Sequence, residues 1–175
     1  MKRRTEVVLA GLGGQGLILI GKILGEAAAI YEGKNSVQTQ SYGVASRGGF
    51  SKSEVVISSE EIAYPEVLDP DVVLTLSQQA YDLYKNKVRK DCWLIYDSDT
   101  ITGEGVSDKE FGFPITTVAV ELRNTRILNM IALGILVKLT GIVSVESILR
   151  SLEKNIPSQF RDVNLRAFQR GLEMS

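Results

Sequence analysis

The sequence predicts a three-layer α/β/α fold, Rossmann-like, with a mostly parallel but mixed sheet. Short β-branched runs stopped by glycine or proline alternate with longer apolar segments of helical spacing, the pattern of an α/β protein. A glycine-rich turn, Gly11-Leu12-Gly13-Gly14-Gln15-Gly16, joins the first such run to the first helical segment. The run Ser51 to Ser58 forms a hairpin or antiparallel pair with the segment before it, which makes the sheet mixed.

Taken in order, Glu6 to Ala10 reads as a buried strand, because it is short, rich in valine and ended by glycine. Gly14 or Gln15 to about Tyr31 reads as a helix. Its apolar positions, Leu17 to Ile20, Ile23, Leu24, Ala27, Ala28 and Ile30, cover more than one stripe. A helix apolar on most sides is buried on most sides, and part of this one is available to another subunit. Ser36 to Ser41 is the second strand, the small-residue loop Tyr42 to Gly49 follows, and Ser51 to Ser58 is the next strand. Asp69-Pro70 punctuates the start of a core strand over Asp71 to Leu76. Ser77 has the side chain to cap a helix running to about Lys87, and Lys85, Lys87, Arg89 and Lys90 suit its C-terminal end. Cys92 to Tyr96 and the β-branched stretch Ile115 to Val120 read as further strands. Helices are expected over Asn124 to Leu139, Ser144 to Asn155 and Ser158 to Leu172, with Gly141 ending the first. No repeat or linker divides the chain, so residues 1–175 read as one domain.

Composition excludes several functions. Lys plus Arg total 20 and Asp plus Glu 21, a net charge of −1 that gives no general attraction to nucleic acid or an anionic membrane. The start Lys2-Arg3-Arg4 reads as a solvated tail. There is one cysteine, Cys92, and no histidine. An internal disulfide, a cluster held by four cysteines of this chain, a Ser–His–Asp site and a histidine-ligated zinc are therefore excluded. No catalytic and no metal-binding residue is assigned. The most apolar run, Ile127 to Val137, is about half the length that spans a bilayer (~20 residues) and stops at Lys138, so it reads as a buried helix. With no signal peptide in the sequence, a cytoplasmic location is expected.

Strand, glycine turn and helix in that order form the first half of a dinucleotide-binding motif. Gly11, Gly13 and Gly16 allow a tight turn and close backbone approach, and the helix N-terminus offers free N–H groups to an anion. The second half is poor. Glu32 has about the right spacing for a ribose partner but precedes the second strand instead of ending it. Anion binding through Gly11, Gly13, Gly14, Gln15 and Gly16, or plain close packing of strand on helix, are both open readings. A stand-alone nicotinamide- or nucleotide-binding protein is the alternative. Beyond the second strand, Ser41, Tyr42, Arg47, Gly48 and Gly49 form a second candidate segment. The Arg47 fork suits a phosphate or carboxylate, the glycines admit backbone amides, and Tyr42 offers a ring and a hydroxyl. If the first two strands are parallel neighbours, this loop lies beside the glycine turn.

These residues carry a family resemblance. The turn Gly11 to Gly16, then Gln40-Ser41-Tyr42-Gly43 with Arg47-Gly48-Gly49, then Ser53 to Ser58 resemble the gamma subunits of 2-oxoacid:ferredoxin oxidoreductases. The likeness extends to Asn124 and to Asn164, Ala167, Phe168 and Gly171, so it spans nearly the whole chain. Val44 and Ala45 stand where many relatives carry Pro-Glu, and the Gln40 to Gly43 wording is more similar to the 2-oxoglutarate type than to the pyruvate type. The resemblance implies oxidative decarboxylation of a 2-oxoacid with coenzyme A to acyl-CoA and carbon dioxide, with electrons passing to ferredoxin. It implies thiamine diphosphate and iron–sulfur clusters in the complex, none held by this chain alone, and a coenzyme A contact here. Alpha and beta subunits are implied as partners, sometimes with a ferredoxin-like delta subunit. Isolated from them, the chain is expected to pair with itself, because apolar patches seek cover.

Overall fold

The computed structural model describes residues 3–42 and 49–175. Six strands form one sheet: β1 (Arg4–Leu12), β2 (Asn35–Tyr42), β3 (Phe50–Ser58), β4 (Val72–Thr75), β5 (Trp93–Asp97) and β6 (Lys109–Phe113). Their spatial order is β2-β3-β1-β4-β5-β6. From β1 through β4 and β5 to β6 the neighbours are parallel, whereas β3 lies antiparallel to both β1 and β2. The helices are α1 (Leu17–Glu26), α2 (Gln78–Tyr84), α3 (Ile115–Glu121), α4 (Leu128–Thr140), α5 (Val145–Asn155) and α6 (Ser158–Glu173).

The two faces of the sheet are unequally covered. Val7, Leu9, Val55, Ile57, Val72, Leu74 and Ile95 face a core built with α1, α3, α4, α5 and α6. Val8, Ala10, Val73 and Leu94 face the other way, against Ala80, Tyr81 and Tyr84 of α2. Alternate residues of the parallel strands thus feed two cores, which is why those strands read as continuous apolar runs. At the centre lies α4, where every residue from Asn129 to Val137 is buried. It meets α6 almost backbone to backbone: a Cβ on Gly134 would stand 2.3 Å from the Phe168 carbonyl oxygen. The apolar run is therefore covered within this chain. Among the described residues no helix is long and apolar enough to cross a membrane.

Several sequence expectations need correction. Ile115 to Val120 is a helix, not a strand, and the strand is Lys109–Phe113. Its buried residues Ile115, Val118 and Ala119 have helical spacing. Asp97, at the end of β5, accepts hydrogen bonds from the Ile115 N–H (3.0 Å) and the Thr116 hydroxyl (2.6 Å), and Asp99 accepts from the Thr117 N–H (2.6 Å). These carboxylates satisfy first-turn donors and override the β-propensity of Ile-Thr-Thr-Val. Regular α1 begins at Leu17, because Gly16 has φ 75°, and ends at Glu26 in a wider π-type turn over Ala27–Tyr31. The helix capped by Ser77, whose hydroxyl accepts from the Ala80 N–H, stops at Tyr84. Arg4 is not part of a solvated tail, since it begins β1 and donates to Glu6 and to the Tyr64 and Glu66 carbonyls, whereas the Arg3 side chain is exposed.

Candidate functional site

β1 passes into α1 on one face of the sheet and its neighbour β4 passes into α2 on the other. A parallel sheet opens a crevice at such a reversal, beyond the carboxyl ends of the strands, and ligands gather there. Here the crevice is closed by Gln15. The Leu12 N–H donates to Gln15 Oε1 at 2.7 Å, and Gln15 Nε2 donates to the Leu76 carbonyl at 2.8 Å. Gly11 makes room for this clasp, because a Cβ there would stand 2.3 Å from Gln15 Oε1. Gly16 serves a second clasp. Its carbonyl accepts from Asn129 Nδ2 at 3.2 Å, and a Cβ on it would stand 2.2 Å from that nitrogen. Gly11, Gln15 and Gly16 therefore hold the turn in shape.

Gly13 and Gly14 remain on the open side. No side chain among the described residues caps the N-terminus of α1. A hollow of about 560 Å³ opens beside it, lined by Leu12, Gly13, Gly14, Leu17, Lys22 and Ser51 among others. The start of α1, without a side-chain cap among the described residues, and the Lys22 ammonium give this hollow the electrostatics of an anion site. Lys22 was not foreseen from the sequence; it stands four residues after Ile18 and three after Leu19, on the face of the first turn that borders the hollow, and helical side chains tilt toward the N-terminus.

The second glycine segment does meet the first. The Gly13 N–H donates to the Gly49 carbonyl at 2.8 Å. The reason differs from the one expected, because β2 is not a neighbour of β1. β3 intervenes and runs antiparallel, so its first residues, just after Gly49, lie beside the end of β1. Ser41 lies near the end of β2 opposite Lys52, with its side chain exposed, and Tyr42 ends the strand opposite Ser51. Arg47 and Gly48 lie outside the described residues.

The ribose half of a dinucleotide site is missing. Glu32 sits before β2, at the opposite end of the sheet from the glycine turn, about 25 Å away along the strand. Burial would raise its carboxyl, but the Lys34 ammonium at 2.6 Å and the Ser144 N–H hold it below the usual range. Cys92 is fully buried, and burial pushes its thiol up to about 12, which leaves no nucleophilic thiolate near neutral pH. The Tyr81 hydroxyl donates to Glu110 at 2.8 Å, and Glu110 in turn accepts the Val106 N–H, a network that ties down residues 104–107. Asn129, which holds the Gly16 carbonyl, is a supporting residue that the sequence expectations do not name. Its signal was there, since it is the one polar side chain inside the apolar run Ile127 to Val137.

A family model described as pyruvate ferredoxin/flavodoxin oxidoreductase matches residues 6–174. The chain is 43% identical to the 2-oxoglutarate synthase subunit KorC of Methanocaldococcus jannaschii, an alignment covering 100% of this chain and 96% of that protein. It is 40% identical, with a TM-score of 0.88, to the gamma subunit of a keto/oxoacid ferredoxin oxidoreductase from Geobacter sulfurreducens, over 98% of this chain and 95% of that one. The fold alone is shared, at 24% identity and a TM-score of 0.89, with the 2-oxoglutarate:ferredoxin oxidoreductase of Magnetococcus marinus, a structure with 2-oxoglutarate, coenzyme A and succinyl-CoA bound; 99% of this chain covers 31% of that one.

Proposed function

The chain belongs to the pyruvate ferredoxin/flavodoxin oxidoreductase family, and from that premise we propose that it is the gamma subunit of an oxidoreductase that converts 2-oxoglutarate and coenzyme A to succinyl-CoA and carbon dioxide, with electrons passing to ferredoxin. As a gamma-type subunit it works within a larger assembly whose other chains carry the chemistry. The 2-oxoglutarate specificity rests on the 43% identity with a 2-oxoglutarate synthase subunit and on the Gln40 to Gly43 wording. In this reading residues 1–175 act as one domain in the cytoplasm. Alpha and beta subunits hold thiamine diphosphate and the iron–sulfur clusters, a ferredoxin-like delta subunit completes some assemblies, and this chain holds none of these groups. Its one cysteine, Cys92, is buried and cannot by itself hold a cluster.

The role of this chain is to complete the coenzyme A site. Gly13, Gly14 and the start of α1, together with Ser41, Tyr42, Arg47, Gly48 and Gly49, receive the phosphates of coenzyme A. The observation that carries this reading is the 2.8 Å bond from the Gly13 N–H to the Gly49 carbonyl, which sets Gly49 against the turn. Gln15, Gly11 and Gly16 serve it by fixing the turn rather than by touching the ligand. Steady-state kinetics of the reconstituted complex test it. Arg47→Ala is expected to raise KM for coenzyme A at least about tenfold, the effect of losing a charge-assisted pair, with KM for the oxoacid unchanged. Equal changes in both, or none, would contradict the assignment.

A further inference from the structure

The two edges of the sheet are built differently. β6 is short, carries Lys109 and Glu110, and stops at Pro114. Charge, brevity and proline are the means by which proteins keep an edge strand from pairing with another chain. β2 has none of them. Its eight residues, Asn-Ser-Val-Gln-Thr-Gln-Ser-Tyr, are all uncharged, and its register with β3 runs without a bulge from Asn35 opposite Ser58 to Tyr42 opposite Ser51.

The hydrogen-bonding phase of this edge follows from two bonds. The Gly13 N–H donates to the Gly49 carbonyl and the Ser59 N–H to the Arg3 carbonyl, and both extend the β1–β3 register. Odd-numbered residues along β3 therefore bond to β1, and even-numbered ones bond to β2. In the β2–β3 register the even residues of β3 face Asn35, Val37, Thr39 and Ser41. Ser36, Gln38, Gln40 and Tyr42 are left with N–H and C=O groups pointing outward, about 20 Å of edge that no strand among the described residues pairs with. Beside it runs a hollow of about 280 Å³ between α1 and β2, bordered by Ala29, Ile30, Ser36 and Gln38. Ile30 there is 57% exposed.

We propose that β2 is an interface between two copies of this chain, pairing antiparallel about a two-fold axis so that the two sheets become one. Self-complementarity selects the second copy. A two-fold at Gln38 sets Ser36 opposite Gln40 of the other copy, so no like charges meet along the strands. The flanking hollow carries one cation and one anion, Lys22 and Glu26, and therefore no net charge to repel its own image. An axis normal to the sheet brings both α1 helices to the same side, where each Ile30 gains cover from the other copy. The proposal stands whether or not the coenzyme A reading holds, because it concerns the free chain and is read at Gln38, Gln40 and Ile30, which the coenzyme A reading does not use.

Light scattering on the full-length chain across a concentration series tests it. The expected mass rises from 19.2 kDa toward twice that value. Gln40→Pro removes one outward N–H without touching the β2–β3 ladder, and Ile30→Lys places like charges across the axis. Each is expected to weaken dimerisation at least about tenfold with an unchanged circular dichroism spectrum. Hydrogen exchange gives the second readout: the Gln38 and Gln40 amides slow as the dimer forms. A monomer at every concentration, a dimer indifferent to both substitutions, or a dimer whose Gln38 and Gln40 amides exchange freely overturns the proposal. So does a monomer whose β2 amides become protected only when alpha and beta subunits are added, which would give the edge to a different chain.

Discussion

Gln15 shows how a residue's role changes when its neighbours are known. In the sequence it sits inside a glycine-rich phosphate motif; in the fold its amide bridges Leu12 and Leu76 and closes the crevice where a dinucleotide would enter. Gln15→Ala leaves the Leu12 N–H and the Leu76 carbonyl without this partner and is expected to cost about 1–3 kcal/mol in urea unfolding. Gly16→Ala adds backbone strain at φ 75° to a clash with Asn129 and is expected to cost at least as much. Acid sensitivity belongs at this scale too. Burial raises the Glu110 carboxyl, yet the Tyr81 hydroxyl and the backbone N–H groups of residues 105–107 hold it below its ordinary value of 4.5 in the fold. A carboxyl depressed on folding contributes stability above its unfolded pKa, and that contribution is lost as pH falls through the folded one. Glu110→Gln is therefore expected to flatten the loss of stability below about pH 4.5, read as Tm against pH; an unaltered slope would refute the assignment.

Among the elements, α3 and α4 carry the lessons. The stretch Ile115 to Val120 has the composition of a strand but becomes a helix, because Asp97 at the end of β5 and Asp99 in the turn after it accept its first N–H groups. Asp97→Ala removes this cap and is expected to lower stability by about 2 kcal/mol or more, with helical signal lost in circular dichroism. α4 was legible as a buried helix from its unbroken apolar run. Its partner was not: Gly134 and Gly171 let α4 and α6 touch along their backbones, a contact between residues far apart in sequence. Gly134→Leu drives a side chain into the Phe168 carbonyl and is expected to abolish cooperative unfolding or lower Tm sharply.

At the scale of the whole molecule, the lopsided layers and the open rim of glycines suit a chain that acts by joining others. Co-expressed with its alpha and beta partners, it is expected to co-purify with them, and the pair without it is expected to turn over poorly. Full turnover by alpha and beta alone would sink the gamma-subunit role. The mixed sheet, the hairpin of β2 and β3 and the helical tail were legible in the sequence because each is set by local periodicity and turn residues. The contact of Gly49 with the glycine turn agrees with the expected neighbourhood, but the premise of adjacent parallel strands fails, because β3 lies between β1 and β2.

By itself the sequence determined the α/β class, the glycine turn with its strand and helix, the absence of histidine and cluster-forming cysteines, and the family to which these motifs point. Local rules are enough for these, since composition, spacing and a few backbone-permissive residues decide them. Only the tertiary structure decided which glycines shape the turn and which face outward, that Glu32 lies at the far end of the sheet, that Asn129 reaches Gly16, and that β2 rather than β6 is the unguarded edge. Each of these depends on strand order and register. Register is fixed by burying two cores at once, a sum over contacts between distant residues that no short window of sequence contains.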